Sequence, residues 1–317
     1  MSEGSALATA LGGYELRTPL VASCGTVGSV VDFAGVADMA VYGAAVAKSV
    51  SPTPWEGRPP PRLAAAGEGM LNGIGIQNAG VAAWAEEVGP RLAGIETDVW
   101  GSAVGHSAED YATVAAALDA AGVRAIEVNL SCPNLEDGGM FALQPAASAD
   151  VVAAVRSVTT LPIGAKLSPN SEDVVTVASA VSEAGADWVV LGNTVWGAGF
   201  DIESRKPLLS GVVGGYSGKP IKPIALRCVW EVSRARPDIP ILGTGGVASG
   251  ADVVEFLLAG AAAVGVGTAH FANPRVGKRI LSQLARYLAK HSFSSVGQLI
   301  GAVEPVSYTH LRAHETT

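Results

Sequence analysis

Short apolar segments alternate along this chain with segments of helical length, and this alternation limits the fold more than any other sequence feature. The apolar segments predict eight β-strands, at residues 19–22, 44–48, 99–104, 125–129, 163–166, 188–192, 241–243 and 263–266. Most are too apolar to have one face in water, which is typical of parallel strands covered on both sides. Short connections between parallel strands require right-handed crossovers, and eight such units close into a barrel. The sequence therefore predicts the α/β class and a (β/α)8 TIM barrel that forms one domain over residues 1–304.

The segments between the strands predict helices at residues 107–121, 150–158, 171–184, 224–234, 249–259 and 275–291. Ser107 is a residue type that caps a helix N-terminus, and Asp110 favours the first turn of the same helix. Gly122, Gly185 and Gly260 stand where three of these helices should end. These end signals support the division into strand and helix units.

An open, doubly wound sheet would also alternate strands with helices. It is disfavoured because no GxGxxG motif follows the first predicted strand. Residues 51–80 are rich in Pro and Gly, and residues 194–223 are too long for a plain link between a strand and a helix. Both segments are predicted to be loops inserted at the C-terminal face of the barrel, and no repeat or linker indicates a second domain.

Composition and charge exclude several classes of protein. The 317 residues are 49% hydrophobic and 16% charged, which excludes a disordered chain. The net charge of −8 argues against binding to nucleic acid or to an anionic membrane surface. Cys24, Cys132 and Cys228 are far apart and form no CxxC pair, so no disulfide framework and no metal site is expected. No segment reads as a signal peptide or a membrane span, and we expect a cytoplasmic protein that binds small molecules or other proteins.

The last thirteen residues, PVSYTHLRAHETT, show no apolar periodicity. Twelve of them resemble the conceptual translation of a transposase adapter used in sequencing-library preparation. We therefore expect residues 305–317 to be a non-native tail, and we assign no function to His310 or His314. A native polar tail is the alternative, and amplifying the source gene from fresh DNA would distinguish the two.

Several predicted strands end in a polar residue. Lys48, Asn129 and Lys166 end three strands, and Asn193 with Thr194 follows a fourth. The C-terminal strand ends of a TIM barrel form its active-site face. A single polar residue at a strand end is usually a solvated boundary residue. Four strands that end this way on one rim predict a ligand site, because burying each group without a partner is costly.

The segment LSCPN follows directly and places Cys132 between Asn129 and Asn134, on a loop at this rim. An isolated cysteine is more often a small buried apolar residue. The polar neighbours and the rim position instead favour a nucleophile or a general base, provided that the pKa of the thiol is lowered. Cys24 and Cys228 keep the apolar interpretation.

Glycines follow the last two predicted strands. Gly245 and Gly246 come after the seventh strand, and Gly267 and Thr268 come after the eighth. Glycine lets backbone N–H groups approach a phosphate, and these two loops form the usual phosphate site of TIM barrels. Simple tight turns are the alternative. Gly215, in a further glycine pair, is expected to line the same ligand.

Together these motifs resemble the class 1 dihydroorotate dehydrogenases, FMN enzymes of pyrimidine synthesis. The motifs, in family order, are AKSV, NGIGIQNAG, VNLSCPN, AKLSPN, GNT, GGYSGKPIKPIALR, GTGGV and VGTA. The stretch NTVWGAGFDIESRKPLL resembles class 1B, in which the catalytic chain pairs with an iron–sulfur flavoprotein that passes electrons to NAD. The resemblance implies oxidation of (S)-dihydroorotate to orotate by a homodimer core that binds an iron–sulfur subunit with FAD.

The resemblance also implies a role for each matching residue. Cys132 would be the catalytic base that removes a proton from carbon 5 of dihydroorotate while a hydride leaves carbon 6. Lys48 would lie between substrate and flavin, and Lys166 would face the pyrimidine end of the isoalloxazine, where a cation stabilises reduced flavin. The other substrate-binding residues would be Asn72, Ile74, Gly75, Ile76, Asn129, Asn134, Asn193 and Thr194. The other FMN-binding residues would be Ala22, Ser23, Ser102, Asn129, Leu191, Gly215, Gly245, Gly246, Gly267 and Thr268.

Two other functions stay open at this point. One is a class 1A homodimer that passes electrons to fumarate, and the other is a phosphate-binding TIM barrel without redox chemistry. The family commonly has Asn where this chain has Ser102, and class 1A members can carry Ser, so this residue does not assign the subgroup. A purified protein that shows no flavin absorption and cannot be reconstituted with FMN would exclude the redox function.

Overall fold

The structure is a computed structural model that describes residues 6–131 and 140–304. The tail at residues 305–317, Cys132 and Asn134 lie outside the described residues. The strands, in chain order, are β1 (Thr9–Leu11), β2 (Tyr14–Leu16), β3 (Leu20–Ala22), β4 (Ala44–Val46), β5 (Leu63–Ala66), β6 (Gly69–Asn72), β7 (Asp98–Ala103), β8 (Ile126–Asn129), β9 (Ile163–Lys166), β10 (Trp188–Leu191), β11 (Val195–Ala198), β12 (Phe200–Asp201), β13 (Lys206–Pro207), β14 (Val213–Gly218), β15 (Ile241–Thr244) and β16 (Ala263–Val266). The α-helices are α1 (Val81–Glu87), α2 (Ala108–Ala120), α3 (Pro145–Arg156), α4 (Val174–Glu183), α5 (Lys222–Ala235), α6 (Gly250–Ala259), α7 (Ala269–Ala272) and α8 (Val276–Lys290).

Eight parallel strands close into a barrel in the order β3-β4-β7-β8-β9-β10-β15-β16, with β16 paired to β3. Neighbours around the barrel therefore follow chain order, as expected when each strand is linked to the next by a right-handed crossover. These are the eight strands predicted from the sequence, with ends that differ by two residues at most. The predicted TIM barrel is confirmed.

Two of the predicted helix ends are found in the structure, and one helix starts earlier than predicted. The Ser107 side chain accepts a hydrogen bond from the Asp110 backbone N–H at the start of α2. Gly260 follows α6 with a φ of 114°, a left-handed conformation that favours glycine. Helix α3 begins at Pro145, earlier than predicted, because proline is well accepted in the first turn. In the described part of the chain, no helix combines the length and hydropathy that a membrane span needs.

Apolar side chains fill two regions, one between the strands and the surrounding helices and one inside the barrel. The inner cluster comes from alternate positions of the strands and contains Val21, Ala44, Val46, Trp100, Ala125, Trp188, Val190, Leu242 and Ala263. The antiparallel hairpin of β1 and β2 adds Leu11 and Leu16 to this cluster and closes the N-terminal end of the barrel. The sequence analysis did not predict this hairpin, whose strands have three residues each.

The two insertions expected as loops carry strands of their own. Strands β5 and β6 from the first insertion and β11 and β14 from the second form one antiparallel sheet, in the order β11-β14-β6-β5. Asn72 on β6 is paired with Gly215 on β14, which joins the two insertions. Local sequence patterns do not show this pairing, because the paired residues are far apart in the chain.

Candidate active site

Polar side chains replace apolar ones at the C-terminal end of the barrel interior. Ser102 on β7, Glu127 and Asn129 on β8, and Lys166 on β9 are all buried. Ser102 is paired with Glu127 across β7 and β8, and Asn129 with Lys166 across β8 and β9. Since side chains alternate along a strand, Glu127 and Asn129 share one face of β8. The predicted residues Ser102, Asn129 and Lys166 therefore come together on three adjacent strands.

Ser49, which follows Lys48, joins several of these groups by hydrogen bonds. Its Oγ lies 2.8 Å from Ser102 Oγ and accepts a hydrogen bond from Asn129 Nδ2 at 2.9 Å. The Cys24 Sγ lies 3.3 Å from the same Ser49 Oγ, so Cys24 belongs to this polar group. The sequence analysis did not name Ser49, whose only signal was its place beside Lys48, and it gave Cys24 an apolar interpretation that this polar contact does not support.

The other end of the Asn129 amide has no partner within the described residues. Its Oδ1 is buried and accepts no hydrogen bond there. Buried amide oxygens in proteins are nearly always hydrogen-bonded. The arrangement therefore fits a ligand that donates a hydrogen bond to Asn129 Oδ1.

Glu127 and Lys166 form a buried ion pair, with 3.6 Å between Lys166 Nζ and Glu127 Oε1. Their side chains are 3% and 9% exposed. The pKa of the Glu127 carboxyl is raised above its ordinary value, because the effect of burial exceeds the opposing effects of the Lys166 ammonium and the Ser102 hydroxyl. Glu127 was missed in the sequence analysis, although an acidic residue inside an otherwise apolar strand is itself a signal of a functional interior.

Lys48 is half-buried at the end of β4. Burial is the main cause that lowers the pKa of its ammonium group. The Cys24 thiol opposes this effect and the Arg62 guanidinium adds to it. A partly desolvated cation with a second cation close by favours an anionic ligand.

The segment between β6 and α1 has a constrained backbone. Gly75 has a φ of 69° and Ile76 a φ of 52°. A β-branched residue at positive φ costs about 1–3 kcal/mol and persists only where its surroundings fix it. Here Arg58 donates its backbone N–H to Ile74 O at 3.0 Å, and a Cβ on Gly75 would lie 2.6 Å from that nitrogen. Such strain is common at ligand sites, which agrees with the predicted role of these residues.

Asn193 and Thr194 follow β10, beside the sheet formed by the two insertions. The Thr194 backbone N–H donates to Asn193 Oδ1 at 2.7 Å, and Asn170 Nδ2 donates to Thr194 O at 3.1 Å. A Cβ on Gly215 would lie 2.1 Å from Thr194 Oγ1. Gly215 also accepts a hydrogen bond from Asn72 Nδ2 at 3.1 Å. Gly215 thus lies between two residues predicted to bind substrate.

The loops after β15 and β16 depend on their glycines in different ways. Gly245 and Gly246 have φ values of 136° and 74°. A Cβ on Gly245 would lie 2.7 Å from Ala225 Cβ, and one on Gly246 would lie 2.8 Å from Lys222 Cβ, so the backbone here packs closely against α5. On the neighbouring loop, a Cβ on Gly267 would meet nothing closer than 3.7 Å. Both loops expose backbone without side chains, which fits the predicted phosphate site.

The remaining predicted residues take different positions. Ser23 Oγ lies 3.2 Å from Thr244 Oγ1, at the ends of β3 and β15, and Thr268 comes just before α7. Ala22 and Leu191 are buried in the outer cluster between strands and helices, so a ligand at the rim would meet their backbone. Cys132 and Asn134 lie outside the described residues, but their loop begins at Ser131, whose Oγ donates to Lys166 O at 3.0 Å.

Comparison with known proteins identifies a consistent set of relatives. The dihydroorotate dehydrogenase family model matches residues 6–288. A protein of Geobacter sp. (strain M21) named dihydroorotate dehydrogenase B (NAD(+)), catalytic subunit, is 45% identical over 94% of this chain and 98% of its own length. Proteins of the same name from Citrifermentans bemidjiense and Pelobacter propionicus are 44% and 45% identical, over 94% and 93% of this chain and 98% and 97% of their own lengths.

Proposed function

This chain belongs to the dihydroorotate dehydrogenase family, and from that premise we propose that it is the catalytic subunit of an NAD-linked enzyme. It oxidises (S)-dihydroorotate to orotate in pyrimidine synthesis. The observation that carries the proposal is the near full-length similarity to catalytic subunits of that name. The buried Asn129 amide, the cations and the glycine loops at the rim of the barrel support it independently.

The substrate has a carboxylate and ring amides, which match the polar groups of the rim. Asn129 Oδ1 is free to accept a hydrogen bond from a ring N–H. Asn72 and Asn193 offer further amide groups, and the strained backbone at Ile76 would lie beside the ring. The half-buried Lys48 ammonium would attract the anion. Asn134 would complete the set from the adjoining loop.

Cys132 is the group we propose as the catalytic base. The proton that leaves carbon 5 of dihydroorotate is weakly acidic, so a base must be held against it. The loop that carries Cys132 starts beside the end of β9, where Ser131 bonds to the Lys166 carbonyl. Cations near the ring would stabilise the negative charge that develops when the proton leaves.

The residues at the rim fit FMN. The Asn129 Oδ1, which has no partner among the described residues, and the open space beside Gly267 support this fit. The two glycine loops with Thr268 would hold the phosphate, Ser23 and Ser102 would line the ring system, and Lys166 would lie at its pyrimidine end. FMN, when bound, supplies the acceptor for the hydride that leaves carbon 6 of the substrate.

A partner subunit is needed to complete the route to NAD. The names of the relatives specify a catalytic subunit, which implies a second subunit. The three cysteines of this chain are far apart in the sequence. We therefore propose that an iron–sulfur subunit with FAD carries the electrons, and that two copies of this chain form the core of the complex.

An acceptor screen tests the proposal. The purified chain should be yellow, and dihydroorotate should bleach its flavin absorption without oxygen. NAD should be reduced only after the partner subunit is added, and fumarate should not replace it. Turnover with fumarate alone would instead indicate the class 1A type. Protein that neither carries FMN nor takes it up would contradict the redox function altogether.

A further inference from the structure

In the proposed function Lys166 lies at the pyrimidine end of FMN, whereas Glu127, its buried ion-pair partner, has no role. We propose that Glu127 is a positioning residue that keeps the Lys166 ammonium charged and in place at the cofactor, and so sets how strongly the site favours reduced FMN. This inference rests on the proposed function, because Lys166 acts on the flavin only if FMN binds at the rim.

The strand register places the two groups together. Glu127 and Asn129 are two residues apart on β8, so both side chains point to the same face. Lys166 is paired with Asn129 on the neighbouring strand β9. This register brings Lys166 Nζ to 3.6 Å from Glu127 Oε1. Glu127 therefore lies one side-chain layer deeper in the barrel than the ligand-facing Asn129.

Burying the two charges costs stability, so the presence of the pair needs another explanation. The two side chains are 3% and 9% exposed, and each charge has lost most of its hydration. A buried ion pair adds little net stability and is often matched or exceeded by apolar residues of similar size. The same interior is apolar at the other end, where Trp100 and Trp188 fill it. The pair is therefore better explained by what it does for Lys166 than by stability.

Glu127 acts on Lys166 through charge. A buried ammonium without a counter-charge loses its proton more readily or moves toward solvent. With Glu127 beside it, Lys166 keeps a full positive charge at a fixed position. A fixed cation at the pyrimidine end binds reduced FMN, which is the more negative form, more tightly than oxidised FMN.

Glu127 lies next to the polar side chains around Ser49. Ser102 is paired with Glu127 across β7 and β8 and lies 2.8 Å from Ser49 Oγ, and Ser49 also accepts a hydrogen bond from Asn129. The Glu127 carboxyl is thus flanked by Ser102 on one strand and by Lys166 on the other.

The test measures the affinities of the unchanged protein and of the Glu127→Gln variant for reduced and for oxidised FMN. Glutamine keeps the shape of the Glu127 side chain but removes its charge. We expect the preference for reduced FMN to fall about tenfold, which lowers the two-electron midpoint potential by about 30 mV. Glu127→Asp keeps the charge and should recover most of the preference. Asp98→Asn removes one charge from the opposite end of the neighbouring strand β7 and should leave the preference within about twofold.

A double variant separates action through Lys166 from a direct effect of Glu127 on the flavin. In a Lys166→Met background, Glu127→Gln should change the preference by less than about twofold. A direct effect of the carboxylate would instead raise the preference for reduced FMN and would persist in that background. An unchanged preference in the single variant, or an equal fall in both backgrounds, would overturn the inference. Failure of the unchanged protein to bind FMN would count against the proposed function instead.

If Glu127→Gln does not fold, Glu127→Asp decides the question. Its shorter side chain keeps the carboxylate but moves it away from Lys166 Nζ, so a smaller fall in the preference is expected. That fall should disappear in the Lys166→Met background, and an equal fall in that background, or a rise in the preference of Glu127→Asp, would overturn the inference.

Discussion

The two ends of the barrel interior are closed in opposite ways. At the N-terminal end, Trp100 and Trp188 pack with ring centroids 5.0 Å apart, and Tyr14 of the hairpin packs edge-on against Trp100 at 5.5 Å. The Tyr14 hydroxyl donates to Asp98 Oδ2 at 2.8 Å. At the C-terminal end the interior contains the ion pair of the Glu127 carboxylate and the Lys166 ammonium. It also contains Asn129 Oδ1, which has no hydrogen-bond partner among the described residues.

The same eight strands therefore serve two purposes: their N-terminal ends contribute to stability and their C-terminal ends to ligand binding. The N-terminal end is filled by rings and aliphatic side chains of the chain itself, and its orphaned polar groups are the indole N–H groups of Trp100 and Trp188, which have no hydrogen-bond partner among the described residues. The C-terminal end buries polar groups whose hydrogen bonds are incomplete, which costs stability unless a ligand binds. A site built in this way binds its ligand without first having to reorganise. The following variants test the comparison, from the largest expected effect to the smallest.

Trp100→Ala should cause the largest loss of stability, about 3–5 kcal/mol in the free energy of unfolding, because it leaves a cavity in a filled region. Ser102→Ala, two residues further along β7, should cost only about 1 kcal/mol, since it removes a hydrogen bond without a large cavity. Denaturant unfolding of both variants measures this difference. Equal losses would show that the two ends do not differ as described.

Cys132→Ala should reduce turnover with dihydroorotate by a hundredfold or more, about 2.7 kcal/mol, because a positioned base is typically worth that much. FMN and orotate should still bind. Cys132→Ser should recover little at neutral pH, since a hydroxyl is a much weaker base.

Anaerobic single-turnover bleaching of the flavin measures the chemical step of the Cys132 variants directly. Cys228→Ala is the matched control, because Cys228 is buried in α5 and burial raises the pKa of its thiol. Near-normal bleaching in Cys132→Ala, or an equal defect in Cys228→Ala, would contradict the assignment of the base.

Gly246→Ala should weaken FMN binding at least tenfold, about 1.4 kcal/mol. The added Cβ would lie 2.8 Å from Lys222 Cβ, at a φ of 74° that disfavours alanine. Gly13→Ala in the hairpin has a similar φ of 80° but meets nothing within 4 Å. Titration with FMN should show a defect only in the first variant, whereas a defect in both would indicate backbone strain as its cause.

Lys48→Met should raise the free energy of unfolding slightly, by less than about 1 kcal/mol at pH 7, and should weaken orotate binding. Burial lowers the folded-state pKa of Lys48 below its ordinary value of 10.5, so the unfolded chain binds the proton more tightly. The charged form therefore destabilises the fold at neutral pH, and this penalty disappears as the pH rises toward 10.5.

The measurement is the free energy of unfolding of the unchanged protein and of Lys48→Met, at pH 7 and at higher pH. The stability gain of Lys48→Met should shrink as the pH rises. Lys278→Met, at an exposed position of α8, is the control and should show no such pH dependence. A constant gain at all pH values would mean that the charge of Lys48 does not cause it.

Much of the fold could be predicted because its signals are local. The strand at residues 163–166 and the Ser107 cap depend on short stretches of sequence, and the structure confirms both. The rim residues Lys48, Asn129 and Lys166 could be predicted because each ends an apolar strand. The hairpin of β1 and β2 could not, because its strands have only three residues each and its place at the end of the barrel depends on contacts with distant segments. The pairing of β6 with β14 could not, because these strands are far apart in the sequence.

The eight barrel strands and the polar residues at their ends follow from the sequence alone, since alternation and turn chemistry act over a few residues. Which of those residues meet depends on the tertiary structure. The closed barrel sets β8 beside β9, and this register creates the Glu127–Lys166 pair and leaves Asn129 Oδ1 without a partner in the described chain. The physical reason is that a charge or an amide acquires its chemistry from groups within a few ångströms, and chain order does not record those neighbours.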